Sequence, residues 1–114
     1  MKFVAKKDRV KHLNNKFCVA YEYPTGDKEI NGAVIELSGR YPDKGRVVNE
    51  VCKELVQIVK GEGMLNVDGR EVLLKEGDQV LIEQGERYYF DGKMTLFVPC
   101  APAWYPAQHK EVKK

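Results

Sequence analysis

The sequence predicts an all-β fold, an antiparallel sandwich or small barrel, and three observations carry that expectation. Residues alternate with a period of two rather than 3.6: Phe17, Val19, Tyr21 and Tyr23 interleave with Cys18, Ala20 and Glu22. Ten glycines punctuate the chain at short intervals. No stretch carries an apolar helical stripe with caps. Short strands broken by frequent turns fit a sheet folded on itself.

Each element follows from local pattern. Residues 17–23 form the first expected strand and residues 30–37 the second. Val47-Val48 begins a third. Residues 54–59 form a fourth that is apolar on both faces, which predicts a place between two packed layers. Residues 64–67 and 71–74 flank Asp68-Gly69, a strong two-residue hairpin signal. Residues 79–82 and 87–90 are separated by a turn at Gly85, and residues 94–98 form the last strand. Pro99, Pro102 and Pro106 end the sheet, because proline has no amide hydrogen for a central ladder. An irregular tail is expected over residues 99–114, with a helical turn at residues 107–111.

The chain has 114 residues, which predicts a single domain over residues 1–114. A composition of 43% hydrophobic and 32% charged residues excludes wholesale disorder. No apolar run approaches the ~20 residues of a membrane span, so no membrane partner is expected. Met1–Lys7 lacks the apolar stretch of a signal peptide, and a cytoplasmic location is the expectation. Nineteen basic residues against seventeen acidic ones predict no nucleic-acid partner. Cys18, Cys52 and Cys100 are odd in number and widely spaced, which predicts buried free thiols rather than disulfides or a zinc knuckle. Of the three, Cys52 is nearest to residues with chemistry.

Residues 39–92 resemble the cupin family. Glu54, six residues and Gly61 match the end of that family's first motif. Gly77 opens the second, Gly85 falls in register, and Tyr88 and Gly92 stand at its His and Asn places. Residues 60–63, 67–69 and 76–78 complete a glycine framework typical of compact bacterial cupins. The resemblance implies a cupin-type double-stranded β-helix, or jelly-roll barrel. Physically, the glycines supply corner conformations, and Asp78 after Gly77 holds a corner through backbone hydrogen bonds.

The resemblance also implies a metal held by two His and a Glu of the first motif and a His of the second. This chain departs from that pattern. With a three-residue spacer before Glu54 the two His places fall on Val48 and Glu50; with four they fall on Val47 and Asn49. Gly39 and Gly45 bracket the place of the motif's leading glycine. A His-rich centre is excluded by residue type, and no cofactor is expected. Glu50, Glu54 and Tyr88 are the only candidates for an oxygen-rich divalent site.

The candidate ligand-binding residues are Arg46, Glu50, Glu54, Tyr88 and Trp104. Glu54 and Tyr88 are also the candidate catalytic pair. Arg46 shares strand parity with Val48 and Glu50, which points it inward; Arg40 and Arg87 are weaker candidates for an anionic substrate. The expected pocket wall is Val56, Ile58, Val80 and Ile82. Trp104 and Tyr105 belong to a tail that can fold over a barrel mouth. His12 is expected on the surface, and His109 is set aside as a ligand or base.

The expected function is binding of a small molecule, sugar-like in character, by a cupin without the His-rich metal centre. One alternative is an isomerase or epimerase working through Glu54 and Tyr88, weakened by the lack of a His-Asp base pair; another is a metalloenzyme with an oxygen-rich site. A third is a structural or regulatory dimerisation module. A homodimer is expected, because bare sheet edges need covering.

Overall fold

A computed structural model of the chain describes residues 1–113. It contains nine strands in one curled antiparallel sheet: β1 (Val10–Asn15), β2 (Cys18–Glu22), β3 (Asn31–Ser38), β4 (Arg46–Asn49), β5 (Lys53–Val67), β6 (Arg70–Lys75), β7 (Gln79–Ile82), β8 (Arg87–Ala101) and β9 (His109–Val112). The strands run in the order β1-β2-β3-β8-β4-β9, and β5 pairs with β6, β7 and β8. The result is a cupin-type barrel. Two short 3-10 turns, Lys6–Asp8 and Pro106–Gln108, are the only helical elements among the described residues.

The barrel is built around β5 and β8, each 15 residues long. The two segments expected at residues 54–59 and 64–67 are one continuous strand. Gly61 permits the bend between them: its φ is +86°, and a Cβ there would overlap the Lys93 carbonyl oxygen on β8. The expected hairpin at Asp68-Gly69 is present, with both residues at positive φ and Val67 paired with Arg70. Asp78 accepts the Lys75 amide at 2.9 Å and closes the β6–β7 corner.

Several local expectations are corrected. The segment 54–59 is not sandwiched between layers: Val56 and Ile58 are buried, while Leu55 and Val59 lie on the outer face, 37% and 50% exposed. Pro99 does not end the sheet. It pairs with Gly32 on β3, and on its other side the β5–β8 ladder lapses between Glu54/Cys100 and Gln57/Phe97. A residue without an amide hydrogen is tolerated in such a lapse. The tail is not irregular throughout, since His109–Val112 form β9 against β4. The helical turn expected at residues 107–111 shrinks to Pro106–Gln108, because the following residues pair with a strand that needs covering. Residues 10–15, which carry little apolar signal, form β1 on the register supplied by β2.

The largest of the most deeply buried side chains are aliphatic: Val47, Val56, Ile58, Leu65, Ile82 and Leu96 are at most 1% exposed. The inner face of β2 presents Cys18 and Ala20 rather than Val19 and Tyr21. Small side chains there leave space inside the barrel. No helix among the described residues is long and apolar enough to cross a membrane.

Candidate functional site

The space left by Cys18 and Ala20 is a cavity of about 110 Å³ inside the barrel. Ile35 and Leu37 of β3, Val56 of β5, and Phe90, Leu96 and Val98 of β8 make its apolar wall. Glu54, Tyr88, Cys100, Tyr41, His109 and Trp104 supply its chemistry. Exposed Asn14 and half-buried Glu22 mark the side nearest solvent.

Glu54 and Tyr88 meet. The Tyr88 hydroxyl donates to Glu54 Oε1 at 3.1 Å, and the Cys100 thiol lies 3.8 Å from Oε2. Strand parity brings them together: Glu54 is the cross-strand partner of Cys100, and Tyr88 enters from the other end of β8. Glu54 is 8% exposed, with no basic side chain among its hydrogen-bond or ion-pair partners in the described residues. Burial pushes its carboxyl above the ordinary carboxylate range, opposed by hydrogen bonds from Tyr88, Asn49 and Cys100. Burial and then the neighbouring carboxyl push the Tyr88 phenol well above its ordinary value. Burial also raises the Cys18 thiol to about 11. For Cys100, contact with Cys52, burial and Glu54 all favour the thiol.

The second polar group is centred on Asn49. Its Oδ1 accepts from Trp104 Nε1 at 3.2 Å, Gln108 Nε2 at 3.0 Å and His109 Nδ1 at 2.8 Å. An amide oxygen has no hydrogen to give, so His109 must carry a proton on Nδ1. In the neutral ring Nε2 is then an acceptor, and the Tyr41 hydroxyl donates to it at 2.9 Å. Burial lowers the His109 pKa, with Glu111 acting in the opposite sense. Asn49 Nδ2 reaches the Tyr88 hydroxyl at 3.5 Å and links the two groups.

The site therefore differs from the sequence expectation in its membership. Glu54, Tyr88 and Trp104 line the cavity. Glu50 does not: its side chain is exposed, because Val47 and Asn49 are the inward residues of β4 and the chain leaves the strand after Asn49. Arg46 does not line it either, since the same parity turns it away and its guanidinium donates to Asn66 Oδ1 at 3.2 Å. Ile58 and Ile82 are packed in the core behind the cavity, and Val80 packs against that core; Val56 alone of the expected wall faces the space. Cys18 and Cys100, rather than Cys52, face the cavity. His109 and Tyr41, which line the cavity, and Asn49, which holds His109, lie outside the expected set. Only the four-residue spacer before Glu54, which puts Asn49 at a His place, pointed toward one of them.

The metal that the resemblance implies does not fit these residues. The two inward His places hold Val47, which has no donor atom, and Asn49, whose oxygen already accepts from three groups. The trio Glu50, Glu54 and Tyr88 is not assembled, because Glu50 is outside. Among the described residues no three His, Cys, Asp or Glu side chains converge on a common point.

No protein-family model and no curated protein matches the sequence. Solved structures do. Pac13, a nucleoside dehydratase, superposes with a TM-score of 0.89 at 14% identity, over 99% of this chain and 92% of Pac13. Variants of the Streptomyces protein solved with uridine match equally well. Ectoine synthase from P. lautus matches with a TM-score of 0.73 at 14% identity, over 98% of this chain and 90% of that one. KdgF from Halomonas sp. matches with a TM-score of 0.70 at 10% identity, over 90% and 94%. At these identities the likeness is one of architecture. By the topology of its barrel and by these superpositions, the chain has the fold of the cupin superfamily.

Proposed function

We propose that this chain is a small-molecule-binding cupin whose ligand occupies the barrel cavity against Glu54 and Tyr88, without a His-rich metal centre. One observation carries the reading: a carboxyl 8% exposed, with no cation paired with it among the described residues, in a cavity whose wall is largely apolar. Burying an unpaired carboxyl costs the fold stability, and such groups concentrate where ligands are handled. The aromatic faces of Trp104, Tyr41 and Phe90 suit a flat or ring-shaped ligand. The uridine complexes of Streptomyces Pac13 support a nucleoside-like or sugar-like molecule. Thermal denaturation with nucleosides, sugars and organic acids tests this, because a ligand of the folded state raises the Tm. A Tm unmoved by every compound at millimolar concentration rejects it.

A second reading is favoured by a specific geometry. Two proton-carrying pairs, Glu54 with Tyr88 and His109 with Tyr41, line one cavity. That is the arrangement an acid–base isomerase or epimerase needs. His109, oriented by Asn49, would serve as the base in place of the His-Asp pair that the sequence lacks. Exchange of a ligand C–H for deuterium in D2O, lost in His109→Gln, distinguishes catalysis from binding.

A further inference from the structure

Resting on the cavity reading above, we propose that the cavity selects ligands that donate hydrogen bonds and carry no negative charge. Hydrogen-bond accounting leads there first. At its inner end every strong side-chain donor is already used inside the protein. Tyr88 donates to Glu54, Tyr41 to His109, and both Trp104 Nε1 and His109 Nδ1 to Asn49. With Glu54 ionised, what remains free toward the cavity is acceptor capacity: lone pairs on the two tyrosine hydroxyls and on the Glu54 carboxylate. A ligand reaching that end must bring the hydrogens.

Charge points the same way. Among the described residues two carboxyl side chains, Glu22 and Glu54, line the cavity, and no lysine or arginine does. The His12 ring that meets Glu22 at 3.1 Å lies outside the lining. Arg46, the one expected inward cation, is turned to Asn66. A phosphate or carboxylate entering this space would shed its water and find two carboxyls and no counter-charge. A hydroxyl or amide donor loses nothing comparable. An ammonium group gains, because it relieves the burial cost that Glu54 bears alone.

Matched probes separate these classes. Thermal shifts and calorimetry would compare uridine with uridine 5′-monophosphate, and glucosamine and glucose with glucuronate, on the untagged full chain. The neutral or cationic member of each set is expected to bind at least tenfold more tightly than its anionic counterpart. A preference for glucosamine over glucose that disappears in Glu54→Gln identifies an ammonium as the group read. Equal preference in both proteins identifies a neutral polyol or nucleoside. Binding of the monophosphate or of glucuronate as tightly as its uncharged counterpart overturns this proposal and leaves the cavity reading standing. Silence from every probe, in a protein whose circular dichroism confirms folding, overturns both.

Discussion

Asn49 Oδ1 and His109 Nδ1 lie 2.8 Å apart, and that contact fastens the C-terminal strand to the floor of the barrel. It joins two elements that are also cross-strand partners, since Asn49 pairs with His109 in the β4–β9 ladder. The same amide oxygen holds Trp104 and Gln108, so one side chain orders three residues of the returning tail. Gln108 in turn accepts the amides of Val51 and Cys52 through its Oε1. The polar network thus orders two residues of the cavity lining, Trp104 and His109, and its hub stands at one of the places where the motif resemblance implies a histidine.

Replacing that hub should be expensive. Asn49→Ala leaves three buried or half-buried donors without an acceptor, at ~1–3 kcal/mol for the worst of them. A loss of about 2–4 kcal/mol in urea denaturation is expected, together with release of Trp104 seen as a red shift in its fluorescence. Asn49→Asp keeps the acceptor and adds a charge beside His109, which raises the imidazole pKa. NMR titration of the His109 ring checks that direction; an unmoved titration would mean the two side chains do not meet.

Glu54 makes stability depend on pH. Its folded pKa lies above the unfolded one because burial disfavours the anion. Between those two values the folded state binds more protons, so stability falls as pH rises, by at most about 1.4 kcal/mol per pH unit for one group. His109 acts with the opposite sign: its folded pKa is lowered, so stability falls as pH drops below the unfolded imidazole value. Glu54→Gln removes the first slope and keeps the second. Urea midpoints from pH 4 to 8 should therefore rise more with pH in the variant than in the parent, and parallel curves would count against a raised Glu54 pKa.

The strands and corners were legible because they rest on local rules. Asp68-Gly69 is a turn wherever strands flank it, and the glycine framework marks corners regardless of what the barrel holds. Glu54 and Tyr88 were legible through motif spacing. Arg46 and Glu50 were misplaced by one step of parity, and in a period-two element one step exchanges inside for outside. Val47 and Asn49 point in, as the four-residue spacer requires. His109 was illegible for a different reason: it reaches the site through β9, a strand of four residues with a polar sequence that exists only because β4 has an open edge to cover. The cavity itself follows from Cys18 and Ala20 facing inward, a choice that alternation alone does not make.

Two glycines with nearly equal φ should respond differently to the same substitution. Gly61 and Gly69 sit at +86° and +87°. An added Cβ at Gly69 meets nothing within 4 Å, so Gly69→Ala pays only for the left-handed backbone, ~1–2 kcal/mol. At Gly61 the same atom overlaps the Lys93 carbonyl, so β5 and β8 must separate where they cross the barrel. Gly61→Ala should cost at least about 2 kcal/mol more than Gly69→Ala in chemical denaturation. Equal losses would mean that the bend in β5 is not held against β8.

The Glu54–Tyr88 contact can be weighed by a double-mutant cycle. Tyr88→Phe removes the donor to Oε1 and leaves the ring packed edge-on against Phe90, at a centroid distance of 5.7 Å. Glu54→Gln removes the charge and keeps an acceptor of the same shape. If the two side chains interact as the 3.1 Å distance requires, their effects on stability will not add, and a coupling of about 0.5–3 kcal/mol is expected. The sign of each single change is informative. Glu54→Gln relieves a desolvated carboxyl and should be neutral or stabilising at pH 8, where ionisation is most costly. Tyr88→Phe strips that carboxyl of a partner and should destabilise by about 1–3 kcal/mol. A stabilising Glu54→Gln that also abolishes ligand binding would show that the barrel keeps its buried acid for the ligand at the expense of its own stability.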